Sequence, residues 1–190
     1  MKMPSQTAGI RQLGDPALRA VSLNVDSFNE PGFIKERLRL SGALSEFRKR
    51  YKFGRAISAP QIGYRKRLIA MNLDGEFHII VNPRITWTSR ERFTMWDDCM
   101  SFPSLLVRLE RYRSVSLHFQ DETGRHKDWE RLEISISELL QHEIDHLDGV
   151  LAVDRALDRD SFVMREAFNA MPDYFRSLVD YQIGEIVVDT

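Results

Sequence analysis

The stretch from Gln141 to Gly149, QHEIDHLDG, constrains this chain more than any other. Histidines four residues apart lie on one face of a helix, so His142 and His146 can bind a single metal ion. Glu143 follows the first histidine and points into the same site. The pattern HExxH is typical of metal-dependent hydrolases, in which the glutamate acts as an acid and base. The sequence therefore predicts a helix that carries a metal centre.

The HExxH pattern leaves the third metal ligand to be found. A third histidine six residues after His146 is excluded, because that position is Ala152. Glu166 could serve as a ligand from a following helix. Cys99, the only cysteine, is the other candidate, since a thiolate is a strong ligand for zinc or ferrous iron. A lone cysteine is also commonly a small buried apolar residue, so spacing alone leaves these alternatives open.

Two stretches upstream complete a set of three motifs. Residues 54–61 read GRAISAPQ and residues 97–101 read DDCMS. With QHEIDH they resemble the motifs of the peptide deformylase family, GφGφAAPQ, EGCLS and QHExDH, where φ is apolar. In the first motif the matching residues are Gly54, Ile57, Ala59, Pro60 and Gln61. The departing ones are Arg55, Ala56 and Ser58, where the family has an apolar residue, glycine and alanine. Weaker resemblance covers residues 10–154.

This resemblance implies a mechanism. Cys99 and the two motif histidines would hold a divalent metal, with Fe²⁺ as the active ion and Zn²⁺, Ni²⁺ or Co²⁺ as alternatives that such a site accepts. Metal-bound water loses its proton near neutral pH and attacks a formamide carbonyl, while Glu143 carries the proton to the departing amine. The Gln61 side-chain amide and the Met100 backbone N–H would stabilise the oxyanion. The implied activity removes the formyl group from the N-terminal methionine of nascent polypeptides.

The substrate pocket is where the sequence departs most from the family pattern. The residues expected to bind substrate are Gly54, Arg55, Ala56 and Glu138. By resemblance, apolar residues stand where Arg55 and Glu138 are, and they line the pocket for a methionine side chain. We expect these two charges to pair and to shrink or polarise the pocket. The alternatives are a capping box of Ser135 with Glu138, and an Arg55 side chain extended to solvent.

Three further substitutions lie next to the expected site. Ala56 replaces a glycine, and its methyl group would narrow the approach of substrate backbone. Asp97 replaces a glutamate that resembles a buried ion-pair partner, and Arg111 or Arg108 would supply the cation here. Asp98 replaces a glycine and adds negative charge near the metal unless it turns outward.

The periodicity of the chain predicts an α+β fold, with antiparallel sheets around a central metal-binding helix, in one domain over residues 1–190. Residues 4–32 are expected to form an irregular arm. Helices are predicted over residues 33–51, 136–148 and 160–170, the last one broken by Pro172. Strand-like runs lie at residues 67–73, 77–81, 85–96, 105–109, 112–119 and 127–134. The tail at residues 186–188 is predicted to be a strand.

Composition narrows the setting in which the protein works. The net charge of −1 gives no electrostatic case for nucleic acid or a membrane surface. A single cysteine excludes an internal disulfide framework, so we expect a cytoplasmic protein, with an organelle left open. The expected partner is an N-formylated peptide or a small formylated compound, and ribosome-associated nascent chains would supply the former.

Three other functions stay open at this point. The first is a divergent deformylase that acts on another N-formyl compound through a polar pocket. The second is a catalytically silent paralogue that keeps the metal for stability or to bind a partner. The presence of Glu143 and Gln61 argues against silence, since a structural zinc site needs neither residue. The third is a HExxH endoprotease.

Overall fold

The structure, a computed structural model, describes residues 9–73 and 75–183. The strands are β1 (Ala56–Ser58), β2 (Leu68–Leu73), β3 (Glu76–Thr88), β4 (Arg92–Asp98), β5 (Leu105–Tyr112), β6 (Val115–Gln120), β7 (His126–Trp129) and β8 (Phe162–Met164). The helices are α1 (Pro31–Tyr51), α2 (Ile134–Leu147), α3 (Arg165–Ala170) and α4 (Pro172–Arg176). Short 3₁₀ segments lie at Pro16–Arg19, Ala59–Ile62 and Ala152–Arg155.

The strands form two antiparallel sheets. One has five strands in the order β1-β2-β3-β6-β7, and the other has three in the order β4-β5-β8. The predicted strand over residues 85–96 is wrong, because the chain turns at 89–91 and its two halves belong to different sheets. The backbone N–H of Ser89 bonds to the carbonyl of Ser114 at 2.8 Å, which fixes that turn.

Helix α2 is buried at every residue from Ser137 to Leu147. Its apolar side chains pack against the five-stranded sheet in one cluster with Ile69, Ile80 and Leu117. Burial of each leucine there contributes about 1.5–3 kcal/mol to stability. Polar contacts on another face reach β5, where the Gln141 amide accepts from and donates to the backbone of Tyr112 at 2.9 Å. The helix that carries the HExxH pattern is therefore the centre of the fold, as predicted.

The start of α2 corrects one prediction. Glu133 is the N-cap residue, and its side chain makes no capping hydrogen bond. The Ser135 hydroxyl donates to the Glu133 carboxylate at 3.0 Å instead of forming a capping box with Glu138. The capping box is absent because the helix begins before Ser135, and the Glu138 side chain pairs with Arg55 in the pocket.

The segment after α2 differs from the prediction at its start. Residues 162–164 are extended and pair with β5, so the helix begins only at Arg165. Pro172 separates two helices as expected and itself occupies the first turn of α4, where its missing N–H costs nothing. The described part of the predicted irregular arm contains only the 3₁₀ segment Pro16–Arg19 before α1. The strand predicted at residues 186–188 lies outside the described residues.

No helix in the described part of the chain has the length and apolar character needed to cross a membrane. The assignment of residues 1–190 to one domain stays a prediction.

Candidate active site

The side chains of Cys99, His142 and His146 converge beside α2. One ligand atom from each lies within 4.8 Å of the others, and all three residues are buried. Cys99 follows β4 directly, and its Sγ lies 3.2 Å from Nε2 of His146. Among the described residues this is the only such group of three histidine, cysteine or acidic side chains. Glu166, the other candidate ligand, is exposed on α3 and does not belong to it.

The surroundings of these three residues fit a metal ion. Nδ1 of His142 lies 3.0 Å from Oδ2 of Asp97, which leaves Nε2 of that ring for an ion. Nδ1 of His146 is buried without a partner among the described residues, so this ring is not committed to a structural network through that atom. One thiolate and two imidazoles form a donor set that suits zinc or ferrous iron.

A buried ion-pair network supports the ligands from behind. Arg111 in β5 donates to Asp97 at 3.0 Å and to Asp145, and both its partners are buried. Burial by itself raises the pKa of Asp97, but His142 and Arg111 outweigh burial and hold that pKa well below its usual range. Arg108, the second candidate, pairs with Asp158 at 2.9 Å instead. The predicted pairing of Asp97 with Arg111 is confirmed.

Glu143 is buried beside the metal ligands, and Ser58 holds its carboxylate. The Ser58 hydroxyl lies 2.5 Å from Oε2 and 2.8 Å from the backbone oxygen of Glu143. Burial raises the pKa of Glu143, although His142 and the Ser58 hydrogen bond lower it in part. Sequence reasoning did not assign Ser58 to the site. The available signal was a hydroxyl at a motif position where the family has alanine.

The amide of Gln61 is oriented by the strand before it. Its Oε1 accepts a hydrogen bond from the backbone N–H of Ser58 at 2.8 Å. Its Nε2 is thereby directed at Ser101 Oγ, 3.3 Å away, and at Cys99 Sγ, 3.7 Å away. The donor end of the amide therefore faces the candidate metal ligands. Met100 follows Cys99 and lines the same cavity.

A cavity of about 440 Å³ opens beside this group, and all four residues predicted to bind substrate line it. Arg55 pairs with Glu138 there and also donates to the carbonyl of Ser135 at 2.8 Å. The two side chains are only 16% and 2% exposed, so Arg55 does not extend to solvent. Burial raises the pKa of Glu138 to about 7, although Arg55 acts in the opposite direction. The predicted ion pair is confirmed.

Two other motif positions shape the cavity. Gly54 has φ +99°, a left-handed conformation that favours glycine, and a Cβ there would press on the methyl group of Met100. Asp98 pairs with Arg165 at 2.9 Å, and its charge is therefore neutralised.

One wall of the cavity was missed by sequence reasoning. It comes from the chain after β8, which no motif covers. The residues of this wall that line the cavity are Arg165, Phe168, Arg176, Val179, Tyr181, Gln182 and Ile183.

Comparison with known proteins agrees with the fold and the site. Residues 7–161 match the family model described as polypeptide deformylase. The peptide deformylase of Pseudothermotoga lettingae is 32% identical over 159 residues, which span 83% of this chain and 87% of that protein. That of Synechococcus sp. strain CC9311 is 34% identical over 165 residues, with 83% and 78% covered.

Solved structures show the same likeness. The peptide deformylase of Thermotoga maritima superposes with a TM-score of 0.71 at 30% identity, covering 78% of this chain and 97% of that one. The Synechococcus elongatus enzyme in complex with actinonin gives 0.72 at 27% identity, covering 90% of each chain.

Fold and site together define a metal-dependent amide hydrolase with a buried cysteine and two histidines. The chain belongs to the peptide deformylase family, whose members hydrolyse the formyl amide at the N-terminus of nascent polypeptides. The predictions of family, fold class and activity are confirmed.

Proposed function

We propose that Cys99, His142 and His146 hold the divalent ion of this deformylase and that Glu143 moves the proton in the reaction. The observation that supports this most is the burial of the three ligand atoms within 4.8 Å of one another, beside the Glu143 carboxylate. When bound there, a divalent ion would activate water and polarise the formyl carbonyl.

The remaining chemistry falls to the side chains of this chain. Glu143 takes a proton from the attacking water at its carboxylate and donates it to the nitrogen of the departing peptide. Its burial and raised pKa suit a group that must accept and then release a proton near neutral pH. Nε2 of Gln61 and the backbone N–H of Met100 donate to the carbonyl oxygen as it gains charge, each contributing about 3 kcal/mol in the transition state.

We infer Fe²⁺ as the working ion and the cytoplasm as the compartment. A thiolate with two imidazoles binds Fe²⁺, Zn²⁺, Ni²⁺ and Co²⁺, so availability decides which one is held. A single buried cysteine suits a reducing compartment. Ribosome-associated nascent chains would then be the source of formylated peptide.

The Arg55–Glu138 pair favours a second candidate within the same chemistry. By the family pattern this part of the pocket receives the methionine side chain, yet here it holds a nearly buried ion pair. A polar pocket would weaken the binding of an apolar side chain and would favour another N-formyl compound that carries a polar side chain. Formyl-methionyl peptide remains the first candidate, because Arg55 and Glu138 already bind each other. Arg55 also donates to the Ser135 carbonyl, so the pair does not need a polar substrate group as a partner.

The test is formate release by protein loaded anaerobically with Fe²⁺ or Ni²⁺. Formyl-Met peptides are compared with formyl peptides that start with polar residues and with free formyl amino acids. Glu143→Ala, checked for retained metal, is the control. Turnover that is fastest with formyl-Met and lost in Glu143→Ala is expected. Faster turnover of polar substrates would establish the second candidate, and no release by metal-loaded protein would refute the proposal.

A further inference from the structure

The chain from β8 onward forms a wall of the cavity that the family match does not cover. The match ends at residue 161, whereas the C-terminal wall, defined here as residues 162–183, lines the cavity beyond that point. Substrate that enters the cavity can therefore contact residues that lie outside the family match.

Several contacts fix the C-terminal wall in place at its centre. Nε1 of Trp96 in β4 donates to the backbone carbonyl of Phe175 at 2.8 Å. The rings of Phe168 and Phe175 stack at 5.5 Å, and both meet the Trp96 indole edge-on. Arg165 donates to the carbonyl of Pro103 at 2.8 Å besides pairing with Asp98. The wall is thus a packed part of the fold, able to hold a side chain in a defined position.

The charges that line the cavity fall into two groups. The interior ones are paired: Arg55 with Glu138, Arg165 with Asp98, and Asp97 with Arg111. Glu143 is assigned to proton transfer in the proposed function and is therefore not counted as a binding group. Two charged side chains remain, Lys52 at the end of α1 and Arg176 at the end of α4, and both are exposed. Neither has an ion-pair or hydrogen-bond partner for its side chain among the residues that the structure describes.

We propose that the C-terminal wall is a substrate-recognition element, in which Arg176, together with Lys52, binds a carboxylate of the formyl peptide beyond the formylated residue. This inference rests on the proposed function and adds the class of peptide to it. The carboxylate can belong to an acidic side chain or to the free C-terminus of a very short peptide. Both present the same anion to two cations that have no other partner within residues 9–73 and 75–183, whereas the paired charges inside the cavity have no free cation for it.

The experiment compares four formyl peptides on the metal-loaded full chain. They are formyl-Met-Ala-Ala amide, the same peptide with a free carboxylate, formyl-Met-Asp-Ala amide and formyl-Met-Lys-Ala amide. The variants are Arg176→Glu and Lys52→Glu. Arg90→Glu, in the exposed turn between β3 and β4 and outside the cavity lining, makes the same charge change as a control. Turnover of the neutral peptide by every variant shows that the variants fold.

We expect the carboxylate-bearing peptides to exceed the neutral one in kcat/KM by about fivefold, mostly through KM, and the lysine peptide to fall below it. Salt should weaken this preference. Arg176→Glu should abolish or reverse it, Lys52→Glu should reduce it, and Arg90→Glu should leave it unchanged. A preference for only one of the two carboxylate peptides identifies the source of the anion.

Equal kcat/KM for all four peptides, or a preference that survives Arg176→Glu and Lys52→Glu, would overturn this inference alone. No formate release from any peptide would overturn the proposed function as well.

Discussion

His142 places its Nδ1 atom 3.0 Å from Oδ2 of Asp97, so the imidazole that would bind the ion is oriented by a buried carboxylate. The same oxygen accepts from Arg111 at 3.0 Å, and the low pKa of Asp97 keeps it charged. An ionised acceptor fixes the ring and makes its free nitrogen a better donor to a metal. Metal affinity should therefore depend on Asp97 although it is not a ligand.

Asp97→Asn keeps the shape of the side chain and removes its charge. We expect the affinity for Co²⁺ or Zn²⁺ to fall about 10–100-fold, because the imidazole loses its anionic partner. Competition with a chelator, followed by the absorbance of the Co²⁺–thiolate complex, measures this without relying on activity. Asp158→Asn, which affects a partly exposed ion pair with Arg108, should leave the affinity unchanged. Equal affinities for Asp97→Asn and the unaltered protein would contradict the assigned role.

Arg111→Met should destabilise the fold. Arg111 is 3% exposed and serves both Asp97 and Asp145, so its loss leaves buried carboxylates with less compensation. Removal of one partner from such a network costs about 3–5 kcal/mol in the free energy of unfolding. Urea unfolding of the apoprotein measures this loss in the free energy of unfolding. Arg92→Met, in a pair with Glu110 that is 46% and 39% exposed, should cost less than about 1 kcal/mol. A similar cost for both variants would refute this account.

The metal centre could be predicted from the sequence because its geometry is local. His142 and His146 are one helical turn apart on one element, and that spacing fixes their relation wherever the helix lies. The choice of Arg111 over Arg108 is different, because it depends on which face of β5 meets α2. Arg108 and Arg111 are three positions apart in β5, so their side chains point to opposite faces of the strand, and only the assembled sheet decides which face meets α2.

Other features were beyond sequence reasoning for the same physical reason. Ser58 and Glu143 lie 85 residues apart, and their hydrogen bond exists only because β1 packs against α2. Ser135 and Glu138 have the spacing of a capping box, but the helix begins before Ser135, and Glu138 pairs with Arg55, 83 positions away in the sequence. Local preferences for caps amount to about 1 kcal/mol, so a buried ion pair readily overrides them.

The Arg55–Glu138 pair should determine the selectivity of the pocket. The double variant Arg55→Leu with Glu138→Leu restores apolar side chains at both positions. We expect the ratio of kcat/KM for formyl-Met over formyl-Ser peptides to rise roughly tenfold, since an apolar pocket gains about 1–3 kcal/mol from such a side chain. Both residues are replaced together, because replacing Arg55 alone would leave the buried Glu138 carboxylate without its partner.

A matched control for this double variant lies on the surface. Arg92→Leu with Glu110→Leu removes an exposed ion pair between β4 and β5, outside the cavity. This surface double variant should leave the ratio of kcat/KM for formyl-Met over formyl-Ser peptides unchanged. If the pocket variant also leaves the ratio unchanged, Arg55 and Glu138 do not contact the substrate side chain.

Ser58→Ala should change the pH dependence of the reaction. The Ser58 hydroxyl stabilises the ionised carboxylate of Glu143, so its removal raises the pKa of that group further. The acidic limb of the kcat/KM profile should then move to higher pH, because a hydrogen bond that favours the ionised carboxylate is lost. Ser41→Ala, which removes a hydroxyl that bonds to the Arg37 carbonyl within α1, is the control. An unmoved acidic limb would exclude Ser58 from positioning Glu143.

Asp180→Asn tests how the C-terminal wall is held at its end. The Asp180 carboxylate accepts from the backbone N–H of Thr94 at 3.0 Å and from its hydroxyl at 2.8 Å. The backbone hydrogen bond, followed by that of the hydroxyl, lowers the pKa of Asp180. A lowered pKa in the folded protein means that the contribution to stability is present above the ordinary value of about 4 and is lost as the pH falls.

At neutral pH, Asp180→Asn should lower the hydrogen-exchange protection of the Asp180 and Tyr181 amides, both of which bond to the Thr94 carbonyl. The difference between variant and parent should shrink as the pH falls below about 4 and should disappear below the lowered pKa of Asp180, where the parent carboxylate is also protonated. Asp173→Asn removes an exposed carboxylate from α4 and should change neither amide. Because these two amides tie the wall to β4 next to the cavity, their protection reports directly on the surface that would meet the substrate. Equal protection in Asp180→Asn and the parent at neutral pH would show that the carboxylate does not hold this end of the wall.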